Sequence, residues 1–211
     1  AVLNTCEYME ELGYEVTYLP VDHEGMIDLD ELRDSITNRT ILLTIMYGNN
    51  ETGTIFPIEE IGRIASDRGI LFHTDAVQAV GKTSMDVKTL NIDLLSLSGH
   101  KLYGPKGVGS LYVKKGTRLT PLIHGGHQEG GRRAGTENIP GIVGLGKACE
   151  IANGDMEFQS GYLTKLRERL HEGIMEKLDH VVLNGHPEKR LPNTLNLGFE
   201  FVEGEALLIH L

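Results

Sequence analysis

Three short apolar runs in the sequence are each followed at once by side chains that can do chemistry. These side chains are Asn50 after the first run, Asp75 and Gln78 after the second, and Ser98, His100 and Lys101 after the third. If the runs are parallel strands, their carboxyl ends share one edge of the sheet, where α/β proteins bind ligands. The sequence therefore predicts one site that combines a carboxylate, an amine and several hydrogen-bond donors.

That combination is what pyridoxal 5'-phosphate (PLP) requires. A carboxylate such as Asp75 can keep a pyridine nitrogen protonated, the amine of Lys101 can form an imine with the aldehyde, and Ser98 and His100 can hold the phosphate. PLP withdraws electrons only while its ring nitrogen is positively charged, so Asp75 has to stay ionised beside it. Lys101 would serve first as the imine partner and then as a base, which requires desolvation or a neighbouring cation to favour the neutral amine.

Two amide side chains are placed to reach the ring hydroxyl, namely Gln78 in the turn after Asp75 and Asn50 at a neighbouring strand end. Taken singly, the residues also suit ordinary structural roles, such as a helix cap for Asp75 and a solvated position for Lys101. Their occurrence together favours the cofactor site. His73 lies inside an apolar strand, and we expect it to be a hydrogen-bonded core residue rather than a ligand.

Other ligand motifs are incomplete. The glycines at 104, 107 and 109 fit neither GxxxxGK[ST] nor GxGxxG, which argues against an ATP or NAD site. His124 and His127 have no third ligand nearby in the sequence, so no metal site is predicted. The glycine-rich loop that leads to Thr136 carries Arg132 and Arg133, which suits an anion or a second subunit, although an ordinary surface loop remains open.

Apolar, β-branched runs alternate with helical patterns, which is typical of an α/β fold with a mostly parallel sheet and flanking helices. The predicted strands are residues 16–21, 41–46, 70–74, 94–97, 110–113, 181–183 and 194–197. The predicted helices are residues 1–12, 29–35, 58–68, 142–152, 158–178 and 205–211. A hinge at Gly154 and Asp155 is predicted to divide a large α/β domain, residues 1–153, from the beginning of a smaller α+β domain, residues 154–211.

Composition narrows the function classes. The 211 residues include 20 Lys and Arg against 30 Asp and Glu, a net charge of −10 that argues against a nucleic-acid partner. No apolar run approaches the roughly 20 residues of a membrane helix. Cys6 and Cys149 lie far apart, without disulfide-framework or zinc spacing, which indicates a reducing, cytoplasmic compartment. Uncapped helical patterns at both ends and the lack of an initiator Met predict a piece of a longer polypeptide.

Four segments, residues 49–53, 73–82, 96–107 and 125–138, resemble the cysteine desulfurases of the NifS/IscS group, within the class V aminotransferase-fold PLP enzymes. The resemblance covers essentially the whole chain and implies PLP fold type I, with an aspartate aminotransferase-like large domain. It also implies a role for each site residue. Lys101 would be the Schiff-base lysine, Asp75 the partner of the ring nitrogen, Asn50 and Gln78 contacts of the ring oxygen, Ser98 and His100 phosphate ligands, and Thr136 a ligand of the partner subunit's phosphate in a homodimer.

The reaction implied by the resemblance converts L-cysteine to L-alanine and passes the sulfur, as an enzyme persulfide, to an acceptor or scaffold protein for iron–sulfur clusters or other thio-cofactors. Neither Cys6 nor Cys149 lies in the family's nucleophile context, and the family's substrate-carboxylate arginine, ring-stacking histidine and upstream Gly-Thr loop find no counterpart here. We therefore expect the 211 residues alone to be inactive. A selenocysteine lyase, a cysteine sulfinate desulfinase, an aminotransferase or a non-catalytic dimerisation module remains open.

Overall fold

A four-stranded sheet forms the centre of the protein, for which a computed structural model describes residues 2–210. Its strands are β1 (Leu42–Met46), β2 (Leu71–Asp75), β3 (Leu94–Ser98) and β4 (Gly109–Val113), in the order β1-β2-β3-β4. The first three strands run parallel, and β4 pairs antiparallel with β3. The mostly parallel sheet that the sequence predicts is therefore present.

The two faces of β2 differ in the way that an alternating strand requires. Phe72 and Thr74 are fully buried, whereas His73 and Asp75 lie on the opposite face and are half-buried. The helix α3 (Ile58–Arg68) packs against β2 with its buried side chains Ile58, Ile61, Ile64 and Ala65. It ends at Gly69, whose φ of 65° is the left-handed conformation that glycine tolerates best.

The remaining helices flank or follow this sheet. They are α1 (Val2–Glu11), α2 (Leu29–Ser35), the short α4 (Gln128–Gly131), the long α5 (Ile139–Met175) and α6 (Gly204–His210). A second, two-stranded antiparallel sheet consists of β5 (Val181–Leu183) and β6 (Leu197–Phe199). Across residues 2–210, none of the helices combines the length and the apolar character needed to cross a membrane.

Three predicted elements differ from the structure. Residues 16–21 form no strand, because no other strand of the described chain pairs with them. The predicted break at Gly154 and Asp155 is absent, since α5 continues through both residues. The second strand of the small sheet begins at Leu197, because Thr194 is held in a turn by its bond to the carbonyl of Leu191. Ala1 and Leu211, the outermost residues of two predicted helices, lie outside the described residues.

The hydrophobic core lies between the sheet, α2 and α3, and it also takes in the segment between β5 and β6. Leu191 from that segment is 1% exposed and belongs to the same buried cluster as Leu43, Tyr47 and Phe56. Part of the chain after α5 is therefore packed into the core of the main sheet, through Leu191.

Candidate active site

The ends of the parallel strands bring the predicted site residues to one edge of the sheet. Asp75 ends β2, opposite Met46 of β1 on one side and Ser96 of β3 on the other. Ser98 ends β3 two residues further on. Because the strands are parallel, their carboxyl ends lie together, as the sequence predicts.

A tight turn presents Lys101. Directly after β3 the chain forms a 3₁₀ turn over Gly99–Leu102, and Gly99 donates to the carbonyl of Val108 at 2.9 Å. A Cβ on Gly99 would lie 3.0 Å from the carbonyl oxygen of Pro105, so a larger residue would push the turn away from its neighbours. The close packing at this glycine fixes the backbone just ahead of the half-buried Lys101.

The same turn pairs two predicted phosphate ligands. The hydroxyl of Ser98 and Nδ1 of His100 lie 2.8 Å apart, within hydrogen-bond distance. His100 is exposed and Ser98 is half-buried, so both polar groups are accessible from the strand edge. One donor of the pair is used in this bond, and the other remains free to donate to an anion.

The carboxylate of Asp75 has a structural contact and a free oxygen. Its Oδ1 accepts a hydrogen bond from the backbone N–H of Val77 at 3.0 Å, which fixes the turn after β2. Among residues 2–210, no hydrogen bond engages Oδ2. Capping the turn and binding a cationic ring nitrogen are therefore compatible roles for this one side chain.

Lys82 lies next to the candidate imine lysine. Its Nζ donates to the backbone carbonyl of Gln78 at 2.9 Å, and a Cβ on Gly81 would lie 2.6 Å from the side chain of Leu102, so the turn of residues 78–82 packs against the Lys101 turn. Burial, together with the positive charge of Lys101, lowers the pKa of Lys82. The sequence pattern does not single out Lys82. Only its position four residues after Gln78 indicates that it could contact the turn after β2.

His73 is hydrogen-bonded through both ring nitrogens, as the sequence predicts. Its Nδ1 lies 2.7 Å from the hydroxyl of Thr44 on β1, and its Nε2 lies 2.9 Å from the hydroxyl of Ser96 on β3. Burial lowers the pKa of His73, and the nearby carboxylate of Asp75 opposes this effect in part. The ring ties three strands together immediately below the strand edge.

Asn50 lies in the loop of residues 47–56 that follows β1. This loop joins the strand edge through Tyr47, whose backbone N–H donates to the carbonyl of Asp75 at 2.8 Å. Asn50 itself is exposed, and its Nδ2 donates to the carboxylate of Glu51 at 2.8 Å. Thr136 is also exposed, in the loop before α5, and within the described chain no hydrogen bond links it to the strand-edge residues. Its predicted contact lies across a dimer and stays a prediction.

Comparison with known proteins decides the family. Residues 1–211 match the family described as aminotransferase class-V. The chain belongs to this family. This class-V protein is 59% identical over 209 residues to the cysteine desulfurase IscS of Methanosarcina thermophila, an alignment that covers 99% of this chain and 52% of that protein. It is 56% identical over 211 residues to a cysteine desulfurase of Nostoc sp., which covers 100% of this chain and 53% of that protein.

Solved structures show the same relationship. The chain superposes on a NifS-like protein with a TM-score of 0.93 at 42% identity, over 98% of this chain and 56% of that one. DndA from Streptomyces lividans matches with a TM-score of 0.88 at 33% identity, over 99% and 59% of the two chains. The class-V chain thus spans about half the length of the curated relatives it matches.

These similarities confirm the predicted α/β fold of type I PLP enzymes and the resemblance to the NifS/IscS group. The cofactor of the family is PLP, and the residues at the strand edge fit it. They place a carboxylate with a free oxygen on one strand end, and a lysine with a Ser–His donor pair on the turn after the next strand. No group of three or more potential metal ligands occurs among residues 2–210.

Proposed function

We propose that this chain carries the PLP site of a cysteine desulfurase, an enzyme that converts L-cysteine to L-alanine and transfers the sulfur as an enzyme-bound persulfide for iron–sulfur cluster or thio-cofactor assembly. The observation that carries the proposal is the 3₁₀ turn that holds Lys101 beside the Ser98–His100 pair, at the same strand edge as Asp75. The curated relatives named above, at 56–59% identity, are cysteine desulfurases.

Each residue at the strand edge would have a separate task. When bound, PLP supplies an electron sink for the bonds at the substrate's α-carbon. The Nζ of Lys101 would hold the cofactor covalently and then carry the α-proton, while the carboxylate of Asp75 would keep the ring nitrogen protonated. Ser98 and His100 would donate to the phosphate, and Gln78 would contact the ring oxygen.

Two further contacts complete the proposed site. Asn50 would reach the ring oxygen from the loop after β1, and Thr136 would reach the phosphate in the partner subunit of a homodimer. Lys82 lies close to Lys101, and burial together with the charge of Lys101 lowers the pKa of Lys82 itself.

The nucleophile that receives the sulfur is not assigned within these residues. Cys6 lies on α1 and Cys149 on α5, and both are free thiols. Neither belongs to the loops that follow β1, β2 and β3. The persulfide thiol, the sulfur acceptor or scaffold protein, and a cytoplasmic location accordingly belong to the proposal for the full-length protein.

The cofactor site is tested by adding PLP and recording visible absorption. We expect the band of lysine-bound PLP, its loss in Lys101→Ala, and its retention in the matched control Lys106→Ala, which removes an exposed lysine five residues away. A band that persists in Lys101→Ala would contradict the assignment of the covalent lysine. No band in the full-length protein would overturn the enzyme function and favour a dimerisation module.

The reaction is tested by supplying the full-length protein with L-cysteine and an excess of a thiol reductant, which releases the persulfide sulfur as sulfide, and by measuring sulfide and alanine. Equal amounts of both are expected. The remaining enzyme classes share the chemistry of Lys101 and Asp75, so these residues cannot distinguish them. Parallel assays with L-selenocysteine, cysteine sulfinate and an amino-group acceptor separate the classes by their substrates. Turnover of one of these substrates with none of L-cysteine would replace the proposed substrate.

A further inference from the structure

The loop that carries Asn50 is held from the far end of the chain. Within the loop, the side chain of Asn49 accepts from the backbone N–H groups of Glu51 and Thr52, and Gly53 donates to the carbonyl of Asn49 at 3.1 Å. These bonds make the loop a compact turn. They do not by themselves fix where the turn lies relative to the sheet edge.

That position is fixed by the segment of residues 184–196 between β5 and β6, here named the clamp segment. Its backbone joins the loop at two points, since Leu191 donates to the carbonyl of Gly53 and Ile55 donates to the carbonyl of Lys189, both at 2.8 Å. A Cβ on Gly53 would lie 2.8 Å from Cβ of Thr194, so only a residue without a side chain lets Thr194 approach the loop this closely.

Side chains of the clamp segment add two bonds to the loop, both just before Gly53. The amide of Asn196 donates to the carbonyl of Glu51 at 3.2 Å, and Nη2 of Arg190 donates to the carbonyl of Thr52 at 3.2 Å. The carbonyls that receive these bonds belong to the two residues directly after Asn50. Movement of either carbonyl would therefore move the backbone that carries Asn50.

Arg190 is the unusual member of this set. It is 6% exposed, its Nη2 also donates to the carbonyl of Asn184 at 2.6 Å, and its Nε has no partner among the described residues. The nearby carboxylate of Glu168 is paired with Arg167 instead. Burial, and to a smaller extent the cation of Arg167, lowers the pKa of Arg190. A buried cation held mainly by carbonyls is costly to fold, so its contribution is the geometry that it imposes on those carbonyls.

We propose that Arg190 is a positioning residue for the cofactor site: by holding the Thr52 carbonyl against the clamp segment, it fixes the place from which Asn50 contacts the cofactor ring. The inference rests on the proposed function, in which Asn50 is a cofactor contact. It adds a residue 140 positions away in the sequence, which would act through Asn50 and not by contact with cofactor or substrate.

The test is a double-mutant cycle on the affinity for PLP, measured in the full-length protein by visible absorption. We expect Arg190→Met to raise the Kd for PLP by about 10-fold, the size typical of losing a hydrogen bond from a charged group. The same substitution should cause no further rise in an Asn50→Ala background, because its effect passes through Asn50. Arg190→Lys should restore part of the affinity, and the control Lys189→Met, which removes an exposed cation from the same segment, should leave it unchanged.

A second readout needs no cofactor. In PLP-free protein, amide hydrogen exchange of residues 49–54 should speed up in Arg190→Met and remain unchanged in Lys189→Met. If Arg190→Met fails to fold, Asn196→Ala takes its place in the cycle, because that side chain holds the adjacent carbonyl without a buried charge.

The outcomes separate this inference from the proposed function. An equal rise in Kd with and without Asn50, or no change in either readout, would overturn the positioning role while leaving the PLP site intact. Absence of any PLP band in the unsubstituted full-length protein would overturn the proposed function and this inference with it.

Discussion

Among the residues of the proposed site, Asp75 has the most specific chemical requirement, a negative charge beside the ring nitrogen. An amide cannot supply the negative charge that keeps the ring nitrogen protonated, although it has nearly the same shape as the carboxylate. We expect Asp75→Asn to lower turnover of L-cysteine in the full-length protein by about 100-fold or more, while Lys101 still captures PLP. Turnover and the visible spectrum are measured together.

The control for this prediction is Asp67→Asn, which removes an exposed carboxylate from α3 without touching the strand edge. Both its turnover and its spectrum should match those of the unsubstituted protein. Near-normal turnover in Asp75→Asn would remove the electrostatic role assigned to this residue.

His73 makes a prediction about pH. Its pKa in the folded protein lies below the ordinary value of 6.5, so the unfolded chain binds the proton more readily. The contribution of neutral His73 to the free energy of unfolding is therefore complete above pH 6.5. It decreases as the pH falls below that value, because the unfolded chain takes up the proton first. Urea unfolding of PLP-free protein at pH 7.5 and 5.5 should show a smaller loss of stability on acidification in His73→Gln than in the unsubstituted protein.

The matched control for the histidine is His127→Gln, an exposed side chain in the glycine-rich loop. It should leave the difference between the two pH values unchanged. An identical loss in the His73 and His127 variants would mean that burial of the His73 ring does not set the acid sensitivity.

At the scale of elements, local sequence signals predict a helix or strand correctly where the tertiary contacts of that segment favour the same structure. Helices α2 and α3 have their predicted bounds, since Asp28 caps α2 through the N–H groups of Asp30 and Glu31 and Gly69 ends α3. Residues 16–21 have strand-like composition, but a strand exists only with a partner, which local composition cannot reveal. Gly154 weakens a helix by only about 1 kcal/mol, too little to break one as long as α5.

The candidate site likewise contains residues that the sequence predicts and residues that it does not. Alternation of strands and helices predicts a parallel sheet, and Asp75 converges with the Ser98–Lys101 turn because β2 and β3 are neighbours in the observed strand order. Arg190 and Lys82 could not be found in this manner. Arg190 reaches the site only because the clamp segment returns to the loop after β1, and the proximity of Lys82 to Lys101 depends on how two turns pack.

Two helical glycines give a stability prediction at this scale. A Cβ on Gly62 would lie 2.0 Å from the backbone carbonyl oxygen of Leu90, whereas one on Gly154 would meet nothing within 4 Å. We expect Gly62→Ala to lower the free energy of unfolding by about 1–3 kcal/mol or more. Gly154→Ala should raise it by about 0.5–1 kcal/mol, because alanine favours the helix. Denaturant unfolding measures both changes. Destabilisation by Gly154→Ala would indicate that α5 is interrupted at this glycine, as the sequence predicts.

At the scale of the whole molecule, the division into residues 1–153 and 154–211 stays a prediction, but the two parts share one core. Leu191 belongs to the buried cluster of the main sheet, and an added Cβ on Gly48, just after β1, would lie 3.2 Å from its side chain. From the other side, Arg167 of α5 donates to the Leu191 carbonyl at 2.7 Å. Leu191 therefore connects the sheet and the long helix to the clamp segment, the sheet through its side chain and the helix through its backbone carbonyl.

This connection predicts that both parts unfold together. Leu191→Ala should cost about 2–5 kcal/mol, the range for removing a fully buried leucine, and should speed amide exchange in β1 and β5 by the same factor. The control Leu170→Ala truncates a side chain on α5 that is 56% exposed, and it should change the stability by no more than about 0.5 kcal/mol. Faster exchange in β5 with no change in β1 would show instead that residues 154–211 unfold as an independent domain, because the sheet would then retain its stability without the leucine.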